Sequence, residues 1–530
     1  MTRLPEPPQI ATPQPWWLRL LGVGMLVIVP LIWWLTAYPP QPYGVSTTDA
    51  ELSHSFAQTP QLEQIRTRGY IRVATLISPT IYIPDKTHPQ GLEYDLVTRF
   101  AAYLGLSVHF IVAKNIDDAY AMVATNQADF AAAGLVVSLA REAQFRYGPS
   151  YLSVRRQLIY RQGVEKPKSL QDIGDAPLAV EQGSNSQNWL TEQSNKGLLD
   201  VPFDHITDST PQKSGQGKTD YAIRIRLEDS GINTLEALEN GTVDYAVVLS
   251  HEAMLGQKMS NKIRVATDLG PPVSFAWAFS RLADKSLYDA AVDFFTEIRR
   301  NNELKNLIDR HYTQFEQLDQ KLAQQFVDDV DQRISPYLSA FKAAGKKYAI
   351  DWRLLAAMGY QESKWQPDAQ SQQGAYGLMQ IMPPTAAYIG LTDPGNPVKN
   401  ILAAAKYLSY LRTQIDDQAP EPDLTYLALA AYNIGIGHLN DAIKLTKQQS
   451  GDPNRWRDIR ERLTQLSNSK IYPKLRNGFA RGEETVQYVE NIRALHDLMV
   501  WVEIHNQQMN GSFIVEHSDS VLNSAQSNSP

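Results

Sequence analysis

Short apolar runs alternate with helical stretches through the middle of the chain. Strands are predicted at 71–76, 108–113, 129–137, 178–180 and 243–249. Helices are predicted at 97–104, 117–125 and 234–239, the first of them ended by Gly105. This alternation indicates an α/β fold with a mainly parallel sheet. The polar stretch 207–220, which carries two glycines, is predicted to be a flexible insertion.

The pattern changes to helical spacing over the last two fifths of the chain. Residues 315–340 are charged with periodic apolar positions and predict a connecting helix. Further helices are predicted at 401–415, 424–432, 452–466, 483–491 and 492–504. This part of the chain is therefore expected to be a mainly α domain.

One N-terminal run is apolar enough to cross a bilayer. Leu20–Tyr38 is almost uninterrupted, carries tryptophans near both ends and has Arg19 on its N-terminal side. These features favour a membrane anchor. A cleaved signal peptide ending at Ala37 is the alternative, disfavoured by the bulky Leu35. Either way the rest of the chain is exported. Residues 1–38 are thus a tail with an anchor or signal segment, and 39–61 are a linker.

Composition narrows the function classes. The net charge of −7 gives no reason to expect nucleic acid as a partner. The absence of cysteine excludes disulfides, a thiol nucleophile and a lipidated N-terminal cysteine. The ten histidines show no paired ligand spacing, so neither a metal nor another cofactor is expected. After Gly511 the chain is rich in Ser and Asn, and 513–530 are expected to be disordered.

The stretch 354–386 carries the clearest candidate chemistry. Asp351 is the expected N-cap of a helix whose apolar face includes Leu354 and Met358. Glu362 follows Met358 by four positions and therefore projects from the same face. Burial and the nearby helix C-terminus both disfavour its charged form and raise its pKa, as a general acid requires. Taken alone, Glu362 fits equally an ion-paired glutamate of an ordinary helical domain.

Four sequence motifs, one of which contains Glu362, favour a catalytic role for this residue. In chain order they are Glu362-Ser363, Gly377-Leu-Met-Gln380-Ile-Met-Pro383, Ala431-Tyr432-Asn433-Ile-Gly435 and Glu484-Thr485-Val-Gln-Tyr488-Val489. Together they resemble the lysozyme-like transglycosylase family of the soluble lytic type. The resemblance implies that Glu362 is the catalytic acid acting on peptidoglycan glycan strands. It also implies a substrate-binding set: Ser363, Gln380, Tyr432, Asn433 and Tyr488. Each of these five is also compatible with a packing or turn role.

The implied reaction needs no second carboxylate. In the family the acid protonates the oxygen between N-acetylmuramic acid and N-acetylglucosamine, and the muramoyl C6 hydroxyl then closes a 1,6-anhydro ring. Two alternatives stay open. Asp368 is a candidate second carboxylate for a lysozyme-type hydrolase. A non-catalytic cell-wall-sensing receptor on the same fold is the other.

The middle of the chain resembles the family 3 solute-binding domains, which have two lobes and a hinge. The resemblance rests on Gly91–Leu96, on Arg141–Tyr151 and on the turn at Gly183-Ser184. It implies that Arg141 clasps a ligand carboxylate, helped by backbone amides around Ser184. A surface salt bridge is the alternative role for Arg141.

Two departures from the family pattern suggest an altered pocket. Val136 replaces a small hydroxyl residue, and Ser250 stands where an acid that receives the ligand's amine is expected. Muropeptides and amino acids are the candidate ligands.

These observations predict a multidomain chain. A two-lobed α/β domain resembling periplasmic binding proteins is expected at 62–315, and a mainly α lysozyme-like catalytic domain at 316–512. Both are expected to face the periplasm of a bacterial envelope, attached to a membrane. The resemblance implies the inner face of the outer membrane, whereas an uncleaved anchor implies the inner membrane.

Overall fold

The structure is a computed structural model that describes residues 59–78, 80–84, 89–199, 223–313, 318–415 and 418–509. The anchor or signal segment at 20–38, nearly all of the 39–61 linker, the insertion at 207–220 and the 513–530 tail lie outside the described residues. Within the described ranges, no helix is both long and apolar enough to cross a membrane. The chain from Pro60 onward belongs to one compact unit.

Strands and helices are numbered separately in chain order. The strands are β1 Tyr70–Thr75, β2 Ser107–Val112, β3 Phe130–Ala131, β4 Phe145–Tyr147, β5 Leu152–Val154, β6 Arg156–Arg161, β7 Pro177–Glu181, β8 Arg224–Glu228, β9 Tyr245–Leu249, β10 Ile263–Asp268, β11 Val273–Phe275 and β12 Ala278–Ser280. The helices of the same part are α1 Gln61–Arg68, α2 Leu92–Leu104, α3 Ile116–Ala124, α4 Asn185–Asn195, α5 Gly231–Glu239, α6 Ser250–Met259, α7 Ser286–Arg300 and α8 Glu303–Ile308.

These elements form two lobes. The first lobe has a five-stranded sheet in the order β2-β1-β3-β12-β4, and the second has β10-β6-β9-β7-β8. A separate two-stranded ladder, β5 with β11, lies where the chain passes from one lobe to the other. The predicted alternation of strands and helices is confirmed.

The prediction of a mainly parallel sheet is wrong. In the first lobe β1 pairs in parallel with β2 and β3, but β12 is antiparallel to β3 and β4. The second lobe repeats this mixture, because β6 is antiparallel to β9 and β10. The physical reason is that β6 and β12 enter each sheet from the other lobe, and so run against the strands made by local crossovers.

The predicted strand at 129–137 is also longer than the strand that forms. Only Phe130 and Ala131 pair as β3, and Gly134 then adopts a left-handed φ of 61°. The Gly134 amide donates to the Glu93 carboxyl instead of extending the ladder. The apolar pattern of 129–137 indicates a buried segment, and a buried segment need not form a strand.

The remaining elements are helical. They are α9 Gln320–Arg333, α10 Leu338–Tyr348, α11 Trp352–Ser363, α12 Pro383–Ile389, α13 Pro397–Thr413, α14 Asp423–Ile434, α15 Ile436–Gln448, α16 Trp456–Leu463 and α17 Gly482–Met509. The predicted connecting helix is interrupted by a 3₁₀ turn at Ser335–Tyr337, which contains Pro336. The two helices predicted at 483–491 and 492–504 are one helix of 28 residues, because neither Gly nor Pro stands between them.

Candidate active site

The helix that carries Glu362 begins as predicted. The Asp351 side chain accepts a hydrogen bond from the Arg353 amide at 2.9 Å and so caps α11. His496 of α17 contacts the same carboxyl at 3.0 Å. Burial alone would raise the pKa of Asp351, but its bonds to His496 and Arg353 lower it. The carboxylates of Asp351 and Asp497 in turn raise the pKa of His496 to about 9, against the effect of burial. The pair is therefore ionic at neutral pH and fixes α11 against α17.

The end of α11 is sharp. Lys364 and Trp365 both have left-handed backbone conformations, with φ of 56° and 55°. The Trp365 indole folds back over the helix, and its Nε1 donates to the Ala356 carbonyl at 2.8 Å. Non-glycine residues adopt this conformation only at a cost, which the buried indole helps to offset. The abrupt turn leaves Glu362 in the last helical turn, where the macrodipole disfavours a negative charge.

Glu362 has one hydrogen-bond partner among the described contacts. The Tyr488 hydroxyl of α17 donates to Glu362 Oε1 at 2.6 Å. Burial raises the pKa of Glu362 to about 7, although the bond from Tyr488 acts in the opposite direction. The pKa values of Tyr488 and Tyr432 are raised well above the usual range by burial and by the nearby carboxyl. At neutral pH both phenols stay protonated, and Glu362 carries a transferable proton in about half of the molecules.

A loop from Gln366 to Met382 faces this helix end and is held by three of the predicted residues. Ser363 Oγ donates to the Leu378 carbonyl at 2.8 Å, and Tyr432 Oη donates to the Met379 carbonyl at 2.9 Å. The Gln380 amide nitrogen donates to two carbonyls inside the loop, each at 2.8 Å. Ser363 and Tyr432 thus position the loop, and the side-chain oxygen is the part of Gln380 that suits a sugar.

Asn433 and Tyr488 belong to two adjoining helices. Thr485 Oγ1 of α17 donates to Asn433 Oδ1 of α14 at 2.7 Å. Asn433 is exposed. Asp368 is also exposed, beyond the end of α11. The structure therefore brings Glu362, Tyr488, Tyr432 and the loop together, with Asn433 at the margin.

Sequence reasoning missed Asn400. This residue of α13 is fully buried, and its Oδ1 accepts from the Met379 amide at 2.7 Å. Its amide nitrogen reaches the Pro394 carbonyl at 3.0 Å. A Cβ at Gly377, where φ is 85°, would lie 2.5 Å from the same nitrogen. An asparagine in an apolar helix face was the available signal, since buried amides need partners.

A second candidate site is the cleft between the two lobes, a cavity of about 270 Å³. Arg141 lines it from the first lobe. Its Nη2 contacts Asp117 Oδ1 at 2.7 Å and donates to the Gly183 carbonyl of the second lobe at 3.1 Å. The guanidinium also lies 4.0 Å over the Tyr120 ring. Arg141 is therefore both a salt-bridge residue and a direct connection between the lobes.

Ser184 is committed to its own helix. Its Oγ accepts from the Gln187 amide and caps α4, while its amide donates to the Glu181 carbonyl. An anion near Ser184 would therefore have to use the amides that follow it. Val136 lines the cavity as expected, and Ser250 does not, because its hydroxyl accepts from the Arg155 amide.

Three carboxyl groups that sequence reasoning missed line the second-lobe wall: Glu181, Asp229 and Glu252. Burial raises the pKa of Glu252 to about 7. Burial and the neighbouring Glu252 raise the pKa of Glu181 well above its usual value. Glu252 lies only two positions after Ser250, where the family resemblance implies an acid. No group of three or more metal-ligating side chains occurs in the part of the chain that the structure describes.

Comparisons with known proteins agree with both halves of this architecture. A family profile described as bacterial extracellular solute-binding proteins, family 3, matches residues 71–314, and the transglycosylase SLT domain profile matches 339–454. Among solved structures, a mutant of ArgBP from T. maritima aligns at 16% identity and a TM-score of 0.40, covering 48% of this chain and 99% of that one. Together with the two family profiles, the fold and site define a protein in which a solute-binding-type domain is joined to a transglycosylase domain.

Relatives span nearly the same length. Membrane-bound lytic murein transglycosylase F of Pseudomonas fluorescens strain Pf0-1 is 37% identical over 456 residues, which are 86% of this chain and 89% of the relative. The protein of the same name from Serratia proteamaculans is 37% identical over 438 residues, with coverages of 82% and 84%. The chain belongs to the membrane-bound lytic murein transglycosylase F family.

Proposed function

We propose that Glu362 is the catalytic acid of a lytic transglycosylase that cleaves murein. The relatives are named for this activity, and the SLT profile covers the helix that carries Glu362. The observation that supports the assignment most directly is a partly buried carboxyl with a pKa of about 7, held by Tyr488. A group with this pKa can give up a proton and take one back near neutral pH.

The proposed reaction uses Glu362 twice. Glu362 first protonates the oxygen of the β-1,4 bond between N-acetylmuramic acid and N-acetylglucosamine, and the C1–O bond breaks. The resulting carboxylate then accepts the proton of the muramoyl C6 hydroxyl, whose oxygen bonds to C1. The products are an N-acetylglucosamine end and a 1,6-anhydromuramoyl end, and no water is consumed. No metal or other cofactor enters this scheme.

The remaining residues have supporting roles in this proposal. Tyr488 orients the acid, while Ser363 and Tyr432 fix the loop that carries Gln380. The Gln380 oxygen and the exposed Asn433 amide bind sugar groups. The catalytic domain is taken to span 316–512, and the solute-binding-type domain 62–315.

Product analysis tests this proposal. Purified sacculi digested in H₂¹⁸O should release muropeptides with anhydro ends and without ¹⁸O, and Glu362→Gln should release almost none. Glu461→Gln, which alters an exposed glutamate of the same domain outside the four motifs, is the control. Reducing ends labelled with ¹⁸O would indicate a lysozyme-type hydrolase, and no product from the wild-type chain would indicate a cell-wall-sensing receptor.

We further propose that the two-lobed domain regulates lysis by binding a wall-derived ligand. Arg141 would receive a carboxylate, and the Glu181 and Glu252 pair would receive an amine. Muropeptides and free amino acids have both groups. Hinge closure can alter catalysis only when the ligand prefers one lobe arrangement. Calorimetric titration with both ligand classes tests this, and Arg141→Ala should abolish the heat of binding.

The location follows from the relatives' name and the N-terminal run. The protein is proposed to be attached to a membrane of the cell envelope with both domains in the periplasm. The family resemblance favours the inner face of the outer membrane, and an uncleaved Leu20–Tyr38 favours the inner membrane. Membrane fractionation with N-terminal sequencing of the mature chain separates these two.

A further inference from the structure

Among the described residues that line the cleft between the lobes, one belongs to neither lobe. Most of its lining comes from the first lobe, including Ile81 and Arg141, and from the second lobe, including Ile232 and Leu255. Trp501 of α17 completes the lining. Trp501 is only 5% exposed, so its ring is held in place by packing. A group bound in this cavity would therefore touch the helical domain directly.

The buried core of the helical domain, which includes Trp501, extends into both lobes. Ile83 of the first lobe and Ile232, Leu255 and Met259 of the second lobe belong to the same buried cluster as Trp501. We call these five residues the shared cluster. Because its members come from both sides of the hinge, a change in lobe arrangement displaces part of the apolar core to which Trp501 belongs. Close-packed interiors transmit such displacements and do not absorb them.

The same helix reaches the catalytic acid. Tyr488 precedes Trp501 by thirteen positions on the uninterrupted α17, which corresponds to about 20 Å along the axis. At the Tyr488 end the hydroxyl donates to Glu362. Between the two, His496 is ion-paired with Asp351, the cap of the catalytic helix. One rigid element thus contacts the cleft, the cap of α11 and the acid at its end.

The first lobe also contacts the cap of α11 through a hydrogen bond. Gln90 Nε2 donates to Asp351 Oδ2 at 3.2 Å. Gln90 immediately precedes Gly91, the residue before α2, and pairs with Ile83 of the shared cluster. Movement of the first lobe would therefore act on α11 at its cap as well as on α17 at Trp501.

We infer that Trp501 is a ligand-contacting residue of the cleft, and that α17 transmits ligand binding from Trp501 to the Tyr488–Glu362 pair. The ligand class is a carboxylate-bearing molecule whose carboxylate meets Arg141 and whose apolar portion lies against the indole. This inference rests on the proposed regulatory function and adds the route by which it acts. It requires that the ligand site be complete only when both domains are present.

The test uses the full chain labelled with 5-fluorotryptophan, with the Trp501 signal assigned by Trp501→Phe. Probes are L-arginine, L-glutamate and a murein stem tripeptide, each titrated by calorimetry and by ¹⁹F NMR. The Trp501 resonance should move in proportion to calorimetric saturation. Trp501→Leu keeps an apolar side chain in the shared cluster and should weaken binding by about tenfold, whereas Trp501→Phe should weaken it less.

Trp189→Phe is the matched control. Trp189 belongs to the two-lobed domain, where its ring lies 4.7 Å from the Arg156 guanidinium and does not line the cavity. Its substitution should leave the dissociation constant unchanged. The effect of ligand on Glu362 is measured from the pH dependence of the cleavage rate. The basic limb of that profile reports the pKa of Glu362, so it moves when the surroundings of Glu362 change. Saturating ligand should shift that limb in the wild-type chain and not in Trp501→Leu.

Two results would overturn the inference while leaving regulation intact. One is a Trp501 resonance that does not move at calorimetric saturation, and the other is unchanged affinity and unchanged limb shift in Trp501→Leu. If none of the probes releases heat, both the composite site and the proposed sensing fail. The product assay with Glu362→Gln still decides catalysis in that case, so the failures are distinguishable.

Discussion

Two glutamates, the buried Glu93 and the partly buried Glu362, resemble each other closely at first sight. Glu93 lies on α2 of the first lobe and Glu362 on α11 of the helical domain. Each accepts a hydrogen bond from a buried tyrosine hydroxyl, Tyr151 for Glu93 and Tyr488 for Glu362. Burial raises the pKa of both. Burial and a raised pKa therefore do not suffice to identify a catalytic acid.

Their surroundings differ in two respects. Glu93 lies in the first turn of its helix, where the macrodipole favours a carboxylate, and it also accepts from Trp277 Nε1 at 2.8 Å and from the Gly134 amide at 3.1 Å. Glu362 lies in the last turn with Tyr488 as its one donor among the described contacts. A saturated carboxyl is a structural element, whereas an under-coordinated one keeps capacity for a substrate proton.

The largest expected effect concerns activity. Glu362→Gln removes the transferable proton and should lower the rate of anhydromuropeptide release by about 10² to 10⁴. The same change at Glu93 should leave the rate near that of the wild type. Release is measured from purified sacculi at equal amounts of folded protein. Comparable losses in both variants would show that the two carboxyls do not differ in role.

The stability of the folded state should fall more in Glu93→Gln than in Glu362→Gln, which is the reverse of the order expected for activity. In Glu93→Gln one of the two side-chain atoms becomes an NH₂ group facing either Trp277 Nε1–H or the Gly134 N–H. One buried donor is then unsatisfied, at a cost of about 1–3 kcal/mol. In Glu362→Gln the remaining oxygen can still accept from Tyr488. Unfolding midpoints at pH 5 should therefore fall only for Glu93→Gln.

The pH dependence sharpens the same comparison. Because the folded-state pKa of Glu362 is raised from 4.5 to about 7, the unfolded chain releases this proton first. Its contribution makes the folded state less stable as pH rises from about 4.5 to about 7, by roughly 3 kcal/mol in all. The Glu362→Gln variant does not lose stability in this way, because glutamine does not titrate. Its unfolding midpoint relative to the wild type should rise between pH 5 and pH 8, and a flat difference would contradict the raised pKa.

A smaller effect is expected at Tyr488. Its hydrogen bond lowers the pKa of Glu362 against the effect of burial. Tyr488→Phe should therefore move the basic limb of the pH–rate profile to higher pH, while the maximal rate falls by less than about tenfold. The profile is measured between pH 5 and pH 9. A limb displaced to lower pH would mean that the bond does not stabilise the carboxylate.

The smallest effect is expected at Asp368. This carboxyl is exposed, and the proposed reaction does not use it. Asp368→Asn should change the rate by no more than about twofold. An inactive but folded Asp368→Asn protein, together with ¹⁸O-labelled products from the wild type, would instead favour a hydrolase with two carboxylates.

Local patterns in the sequence predicted the elements that local chemistry decides. Asp351 as a cap, Gly105 as a stop and the helix bearing Glu362 all depend on residues a few positions apart, and the structure confirms them. The antiparallel pairings of β6 and β12, the donors to Glu93 and the acids at Glu181 and Glu252 depend on distant parts of the chain. The spacing of apolar residues along the chain carries no information about contacts between distant segments, so those features could not be predicted.

The shared cluster has a practical consequence for anyone who dissects this protein into halves. The sequence predicts a domain boundary between 315 and 316, but the buried apolar cluster contains residues from both sides of it. A gene cut there would expose Ile83, Ile232, Leu255 and Met259 on one fragment and Trp501 on the other. Exposed apolar patches promote self-association. Soluble production of either fragment would therefore call for polar replacements along the cut surface, and co-expression of the two fragments should restore solubility to both.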